Sequence, residues 1–189
     1  MKFSIPILAG LLWLGQSSAS AIEARDLEAR QAAPATCTNP NLAFPFLRGL
    51  NSAVSDHFYT TSFGELVNAI DHAGYVSEGT AAFVFLPQIP SNLTVPLFRL
   101  FNPTSVDHFY TTSAAERNNA IANGGYRSEG TAASVFATQV CGSIPLFRLF
   151  NPTSGDHFYT TSAPERDNAI ANAGYRSEGT AAFVLPIPT

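Results

Sequence analysis

The sequence predicts a β-rich α+β fold: three β-β-α-β-β repeats closed with pseudo-threefold symmetry. Three observations carry this. Pro96–Val135 and Pro145–Val184 are identical at 35 of 40 positions, and a looser copy, Pro45–Val84, precedes them. Each copy alternates short aromatic-rich runs with turn residues, as strands joined by hairpins do. Each copy also holds one capping-box spacing, a stretch of about ten residues, and then a glycine, the marks of a single short helix. One such unit cannot bury its own apolar faces, so three must close on one another. A three-bladed, propeller-like body is expected. A trefoil-like barrel is the alternative, and the helix argues against it.

The second copy shows the elements in order. Pro96–Asn102 (PLFRLFN) is short and aromatic-rich and reads as a strand. Asn102-Pro-Thr-Ser-Val-Asp107 reads as a turn, because Asn-Pro initiates turns. Asp107–Thr112 (DHFYTT) is the returning strand, with His108, Tyr110 and Thr112 on one face and Asp107, Phe109 and Thr111 on the other. The capping boxes Ser62…Glu65, Ser113…Glu116 and Ser162…Glu165 open helices over Ser62–Gly74, Ser113–Gly125 and Ser162–Gly174. Tyr126–Glu129 and Thr131–Phe136 read as two further strands around Gly130. The repeats run over about 45–87, 96–138 and 145–187.

The ends read differently. Lys2, an apolar core over Ile5–Leu14 and the small residues Ala19-Ser20-Ala21 form a signal peptide over residues 1–21. Residues 22–30 (IEARDLEAR) read as a propeptide, leaving 31–189 as one repeat domain. The chain is therefore expected to be secreted, with Cys37 and Cys141 joined in a disulfide. Asn92-Leu93-Thr94 is the usable glycosylation sequon, since proline follows both Asn102 and Asn151. From Gln31 onward seven Arg face eleven Asp and Glu, which disfavours nucleic acid and anionic membranes as partners.

The run Asn-Pro-Thr-Ser-x-Asp-His-Phe-Tyr-Thr-Thr-Ser-x-x-Glu, followed by Gly-Tyr-x-Ser-Glu-Gly, resembles a tandem secreted repeat family of unknown function. Its modules occur in small exported fungal proteins and attached to bacterial cell-wall hydrolases and peptidases. The resemblance covers Pro45 to about Pro186 and implies an extracellular, non-catalytic accessory module. The family carries no established ligand or catalytic residues. The first copy departs from the pattern, with Gly49 for Leu100, Leu66 for Arg117, Val76 for Arg127 and no proline in its turn.

Several constellations bear on chemistry. Adjacent strand residues point to opposite faces, so Asp56-His57, Asp107-His108 and Asp156-His157 are not catalytic pairs by adjacency. Three symmetry-related histidines near an axis are able to ligate a metal, but no ligand-spacing motif supports one, and no cofactor or metal is expected. Glu65, Glu116 and Glu165 look like capping residues. These, with Glu78, Glu129 and Glu178, are expected to pair with Arg48, Arg99 and Arg148 or to cap backbone amides. Glycoside hydrolysis needs two carboxylates in different environments, which near-identical repeats do not provide. All six tyrosines fall in the repeats, as Tyr59, Tyr110, Tyr159 and Tyr75, Tyr126, Tyr175. A ring beside Asp and Arg suits a sugar pocket, and equally suits a core.

The expected function is a monomeric, non-enzymatic binding module for cell-wall or surface carbohydrate, with up to three equivalent weak sites. Ligand contact is expected at Asp107, His108, Tyr110, Asp156, His157 and Tyr159, and more weakly at Asp56, His57 and Tyr59. A small extracellular hydrolase and a structural or effector protein that binds another protein are the alternatives.

Overall fold

The computed structural model describes residues 36–89 and 91–188. The expected leader and propeptide lie outside the described residues. Among the described residues the chain forms nine strands and three α-helices, a β-rich α+β fold with an antiparallel sheet. The strands are β1 (Ala43–Asn51), β2 (Asp56–Thr60), β3 (Val76–Phe85), β4 (Thr94–Asn102), β5 (Asp107–Thr111), β6 (Arg127–Phe136), β7 (Ile144–Asn151), β8 (Asp156–Thr160) and β9 (Arg176–Val184). The helices are α1 (Phe63–Ala73), α2 (Ala114–Asn123) and α3 (Ala163–Asn172). In each repeat the first strand is central, flanked by its hairpin partner and by the strand that follows the helix.

The hairpin turn is built by one asparagine. Asn102 Oδ1 accepts from Thr104 N at 2.9 Å, and its Nδ2 donates to Gly124 O at 2.9 Å, tying the turn to the end of α2. Asn51 does the same with Ala53 N and Ala73 O, so the first copy keeps the turn without its proline. The Asx bond supplies the constraint that proline would otherwise add.

The helices start where the sequence places them. Ser62, Ser113 and Ser162 are N-caps, each accepting from the backbone N–H of the glutamate three residues on. The capping box is only half made, because the glutamate side chains do not reach back. Thr60, Thr111 and Thr160 take the N-cap amides instead, and also donate to Glu65, Glu116 and Glu165. The expected capping role of these glutamates is corrected on that ground.

The unit is β-β-α-β rather than β-β-α-β-β. The sequence pattern predicts two strands, Tyr126–Glu129 and Thr131–Phe136, where one strand runs from Arg127 to Phe136. Gly130 sits at φ 90°, which only glycine adopts at little cost, and the register against β4 shifts around it. A bulge bends the strand without ending it.

Between repeats the ladder narrows to single pairs: Phe85 with Ser134, Phe136 with Phe183, and Leu185 with Phe83. The last pair exchanges two backbone hydrogen bonds at 2.9 Å. One shared core lies among the three repeats and takes equivalent residues from each: Phe46, Leu97 and Leu146; Ala82, Ala133 and Ala182; Val84, Val135 and Val184; and the three tyrosines of β2, β5 and β8. Cys37 and Cys141 form a disulfide with Cα atoms 5.6 Å apart, fixing the N-terminal segment to the linker before β7. Its sequence separation of 104 residues corresponds to roughly 4–5 kcal/mol of lost unfolded-chain entropy. Among the described residues no helix is long and apolar enough to cross a membrane.

Candidate functional site

The strands β2, β5 and β8 are buried along their whole length. Alternation therefore assigns no wet face to DHFYT; the histidine and tyrosine meet the other repeats, and the aspartate and phenylalanine meet both their own repeat and the next. Every polar group on these strands must find an internal partner or cost several kcal/mol.

The tyrosines solve this cyclically. Tyr59 OH donates to Tyr159 O, Tyr110 OH to Tyr59 O and Tyr159 OH to Tyr110 O, at 2.7–2.8 Å. Each hydroxyl also accepts: Tyr59 N donates to Tyr110 OH, Tyr110 N to Tyr159 OH and Tyr159 N to Tyr59 OH, at 2.8–2.9 Å. The three rings meet edge to face with centroids 5.4–5.6 Å apart. Burial drives all three hydroxyls far above the ordinary tyrosine pKa.

The aspartates and histidines pair across repeats. His108 N and Nδ1 lie 2.8 and 2.6 Å from the two carboxylate oxygens of Asp56. His157 holds Asp107 and His57 holds Asp156 in the same two-point way. Tyr75, Tyr126 and Tyr175 donate their hydroxyls to Asp56, Asp107 and Asp156. Burial first, and then the adjacent carboxylate, raises the pKa of these tyrosines too. The aspartates are fully buried and their oxygens come within 4.8 Å of one another. Both oxygens of each are taken by donors. The histidine rings are wedged against phenylalanines; His108 lies 4.7 Å from Phe101 and 5.0 Å from Phe58, centroid to centroid.

Outside this layer sits an arginine fork. Arg99 grips Glu65 of the preceding repeat through Nη1 and Nη2 at 3.1 and 2.8 Å, and its Nε stands 2.8 Å from Glu129. The Nε contact is an ion pair off the N–H axis, not an aligned hydrogen bond. Arg148 grips Glu116 and Arg48 grips Glu165 in the same way, with Glu178 and Glu78 at their Nε atoms. Each guanidinium also lies over a phenylalanine of the neighbouring repeat, 5.2 Å from the centroid. Burial works to raise the pKa of Glu65, Glu116 and Glu165, but the arginine and threonine bonds outweigh it and hold all three below the usual carboxylate value.

The structure thus gathers the nine residues expected to touch ligand, but turns them toward each other. Tyr59, Tyr110 and Tyr159 are at most 1% exposed and present no ring face to solvent. The histidine side chains keep 11% exposure, and their Nε2 atoms face Glu78, Glu129 and Glu178 at 3.7–3.8 Å. Asp and His within one hairpin do not pair, as expected; the pairing runs instead between an Asp and the His of the next repeat, which the hairpin pattern alone does not specify. The signal available was that DHFYT carries polar residues on both strand faces, which an inter-repeat contact requires.

What these contacts define is a three-repeat, disulfide-linked, β-rich module whose polar core is shared among its repeats. The chain belongs to the family DUF5648, a domain of unknown function, whose family model matches residues 45–185. Neither a curated protein nor a solved structure matches it.

Proposed function

We propose that this protein is a non-catalytic binding module that acts outside the cell, and that its ligand is carbohydrate of a cell wall or surface. The observation that carries the reading is the threefold saturation of its reactive groups. The aspartates and histidines of the DHFYT strands, and Arg48, Arg99 and Arg148 with Glu165, Glu65 and Glu116, are engaged by the same partner type three times over. Acid–base catalysis needs two groups held in different protonation states by different environments, and three equal copies do not supply that contrast. A rigid body with three like surfaces suits weak multivalent binding, in which sites reinforce one another through effective concentration.

In this reading the three repeats are blades of a propeller-like, pseudo-threefold body. The cyclic tyrosine bonds and the Leu185–Phe83 pair support that arrangement. The chain is exported through its N-terminal leader, which the Cys37–Cys141 disulfide favours, and it carries sugar at Asn92. Of the nine expected contact residues, the histidines keep the most exposure, at 8–9%. Ligand contact is proposed at their Nε2 edges beside Glu78, Glu129 and Glu178, with the buried aspartates and tyrosines orienting the rings.

The test is a glycan array and a polysaccharide pull-down with the secreted protein. Retention on at least one polysaccharide, reduced in a Glu129→Gln/Glu178→Gln variant of unchanged circular dichroism, is the expected result. No retention on any polysaccharide would remove carbohydrate as the ligand class.

A further inference from the structure

One end of the molecule is apolar and open. Leu42 is 45% exposed and Ile187 is 49% exposed. Their chain neighbours Ala43, Pro186 and Pro188 line a cavity of about 280 Å³, with Pro40, Cys141 and Leu185 among others. An open apolar cavity on an exported protein is a liability unless something covers it.

The linker between β3 and β4 reaches this end. Thr38 Oγ1 donates to Ser91 Oγ at 2.8 Å, which joins the linker to the segment that leads into Leu42. Leu93 packs into the same cluster as Phe85, Phe136, Leu185 and Cys141, and its N–H donates to Ser91 Oγ at 3.2 Å. Between these two anchors Asn92 is exposed, with Leu93 and Thr94 completing its sequon. Asn92 stands four residues before Pro96, as Cys141 stands four before Pro145. The two linkers thus place a glycan acceptor and a disulfide at the same point of the repeat, both beside the apolar end.

We infer that Asn92 carries an N-linked oligosaccharide whose inner sugars lie over the apolar cavity flanked by Leu42 and Ile187. This deepens the export reading and rests on it. The donor class is an oligosaccharide on a lipid pyrophosphate. A bond forms between Asn92 Nδ2 and the sugar's C1, the C1–O bond to the pyrophosphate breaks, and the amide nitrogen gives up one proton. The tether fixes the inner sugars within reach of the Thr38–Leu42 segment. Their C–H faces cover carbon, and their hydroxyls turn to water. The glycan therefore solubilises this end and leaves the rest of the surface for ligand.

The experiment uses the full chain expressed in a eukaryotic secretory host, with Asn92→Gln, Thr94→Ala and Thr94→Ser beside it. Intact mass is measured before and after peptide N-glycosidase, and binding of the apolar fluorophore ANS is followed in parallel. The expected result is a glycosidase-sensitive mass on the wild type and Thr94→Ser, and none on Asn92→Gln or Thr94→Ala. ANS fluorescence should rise several-fold when the glycan is removed, and that rise should disappear in Leu42→Ser/Ile187→Ser. Secreted, disulfide-bonded protein of unmodified mass overturns the glycan. Glycosylated protein whose ANS binding ignores both deglycosylation and the serine variants overturns the covering role. A chain found only in the cytosol with reduced thiols overturns the export reading, and this inference with it.

Discussion

Each buried aspartate receives three donors from two repeats: a backbone amide and an imidazole from the next repeat, and a tyrosine hydroxyl from its own. A carboxylate so held is worth little in isolation but costly to delete, because its donors are left buried without an acceptor. Asp107→Ala strands His157 N, His157 Nδ1 and Tyr126 OH, and should cost about 3–5 kcal/mol, read as a fall in the urea midpoint at unchanged slope. A change below ~1 kcal/mol would mean that the cluster is incidental to stability. The residue before this aspartate is informative too. Val106 closes its turn at φ 54° and Ser55 at 57°, whereas the third repeat has Gly155 at 79°. A β-branched residue pays for the left-handed conformation, so Val106→Gly should raise stability by roughly 0.5–1 kcal/mol after the entropy of glycine is deducted. Thermal unfolding that shifts downward would contradict this. The residue types of the site were legible in the sequence from their threefold recurrence. Their partners were not, because the two-residue period of a strand says which side chains share a face and nothing about which repeat that face meets.

The elements were legible to different degrees, for physical reasons. Helix bounds followed from local chemistry, since a serine N-cap and a glycine in left-handed conformation fix an end without tertiary help. The sequence pattern divides the strand after each helix in two, because glycine in a strand pattern marks either a break or a bulge, and only the pairing with β4 decides. The contact between β1 and α1 illustrates a compensation that single positions hide. In the second and third repeats Arg117 and Arg166 lie over Phe98 and Phe147, 4.2 and 4.3 Å from the centroids. In the first repeat Leu47 replaces the phenylalanine, and Leu66 turns inward and is buried. It fills the space beside Gly49, where a Cβ would lie 3.0 Å from Leu66 Cδ1. Gly49→Leu alone should therefore overpack the first repeat and cost about 1–3 kcal/mol. Adding Leu66→Arg and Leu47→Phe, which copies the other repeats, should recover most of the loss. Equal destabilisation in the single and triple variants, measured by denaturant unfolding, would show that the three positions do not compensate one another.

At the scale of the molecule, the repeats share their polar core, so none of them is expected to unfold alone. The tyrosines give a direct probe of this. All six have pKa values raised above the ordinary value near 10, three by complete burial and three by burial beside a buried carboxylate. Below that pH the folded and unfolded chains hold the same tyrosine protons, and these groups add nothing to the pH dependence. Above it the unfolded chain releases protons that the folded chain keeps. The native state then binds more protons, and stability falls as pH rises. For Tyr59, Tyr110 and Tyr159 alone the loss is about 1.4 kcal/mol each per pH unit above 10, roughly 4 kcal/mol in total at pH 11. That is a large share of the ~5–15 kcal/mol by which such domains are stable. The protein should therefore unfold in one cooperative step above pH 10. Tyrosinate absorbance and far-ultraviolet circular dichroism should change together, with all six tyrosines ionising in the same narrow interval. Tyrosines that titrate gradually around pH 10 while the circular dichroism stays constant would show that the hydroxyls are open to solvent, and that the cyclic bonds of Tyr59, Tyr110 and Tyr159 do not hold the three repeats together.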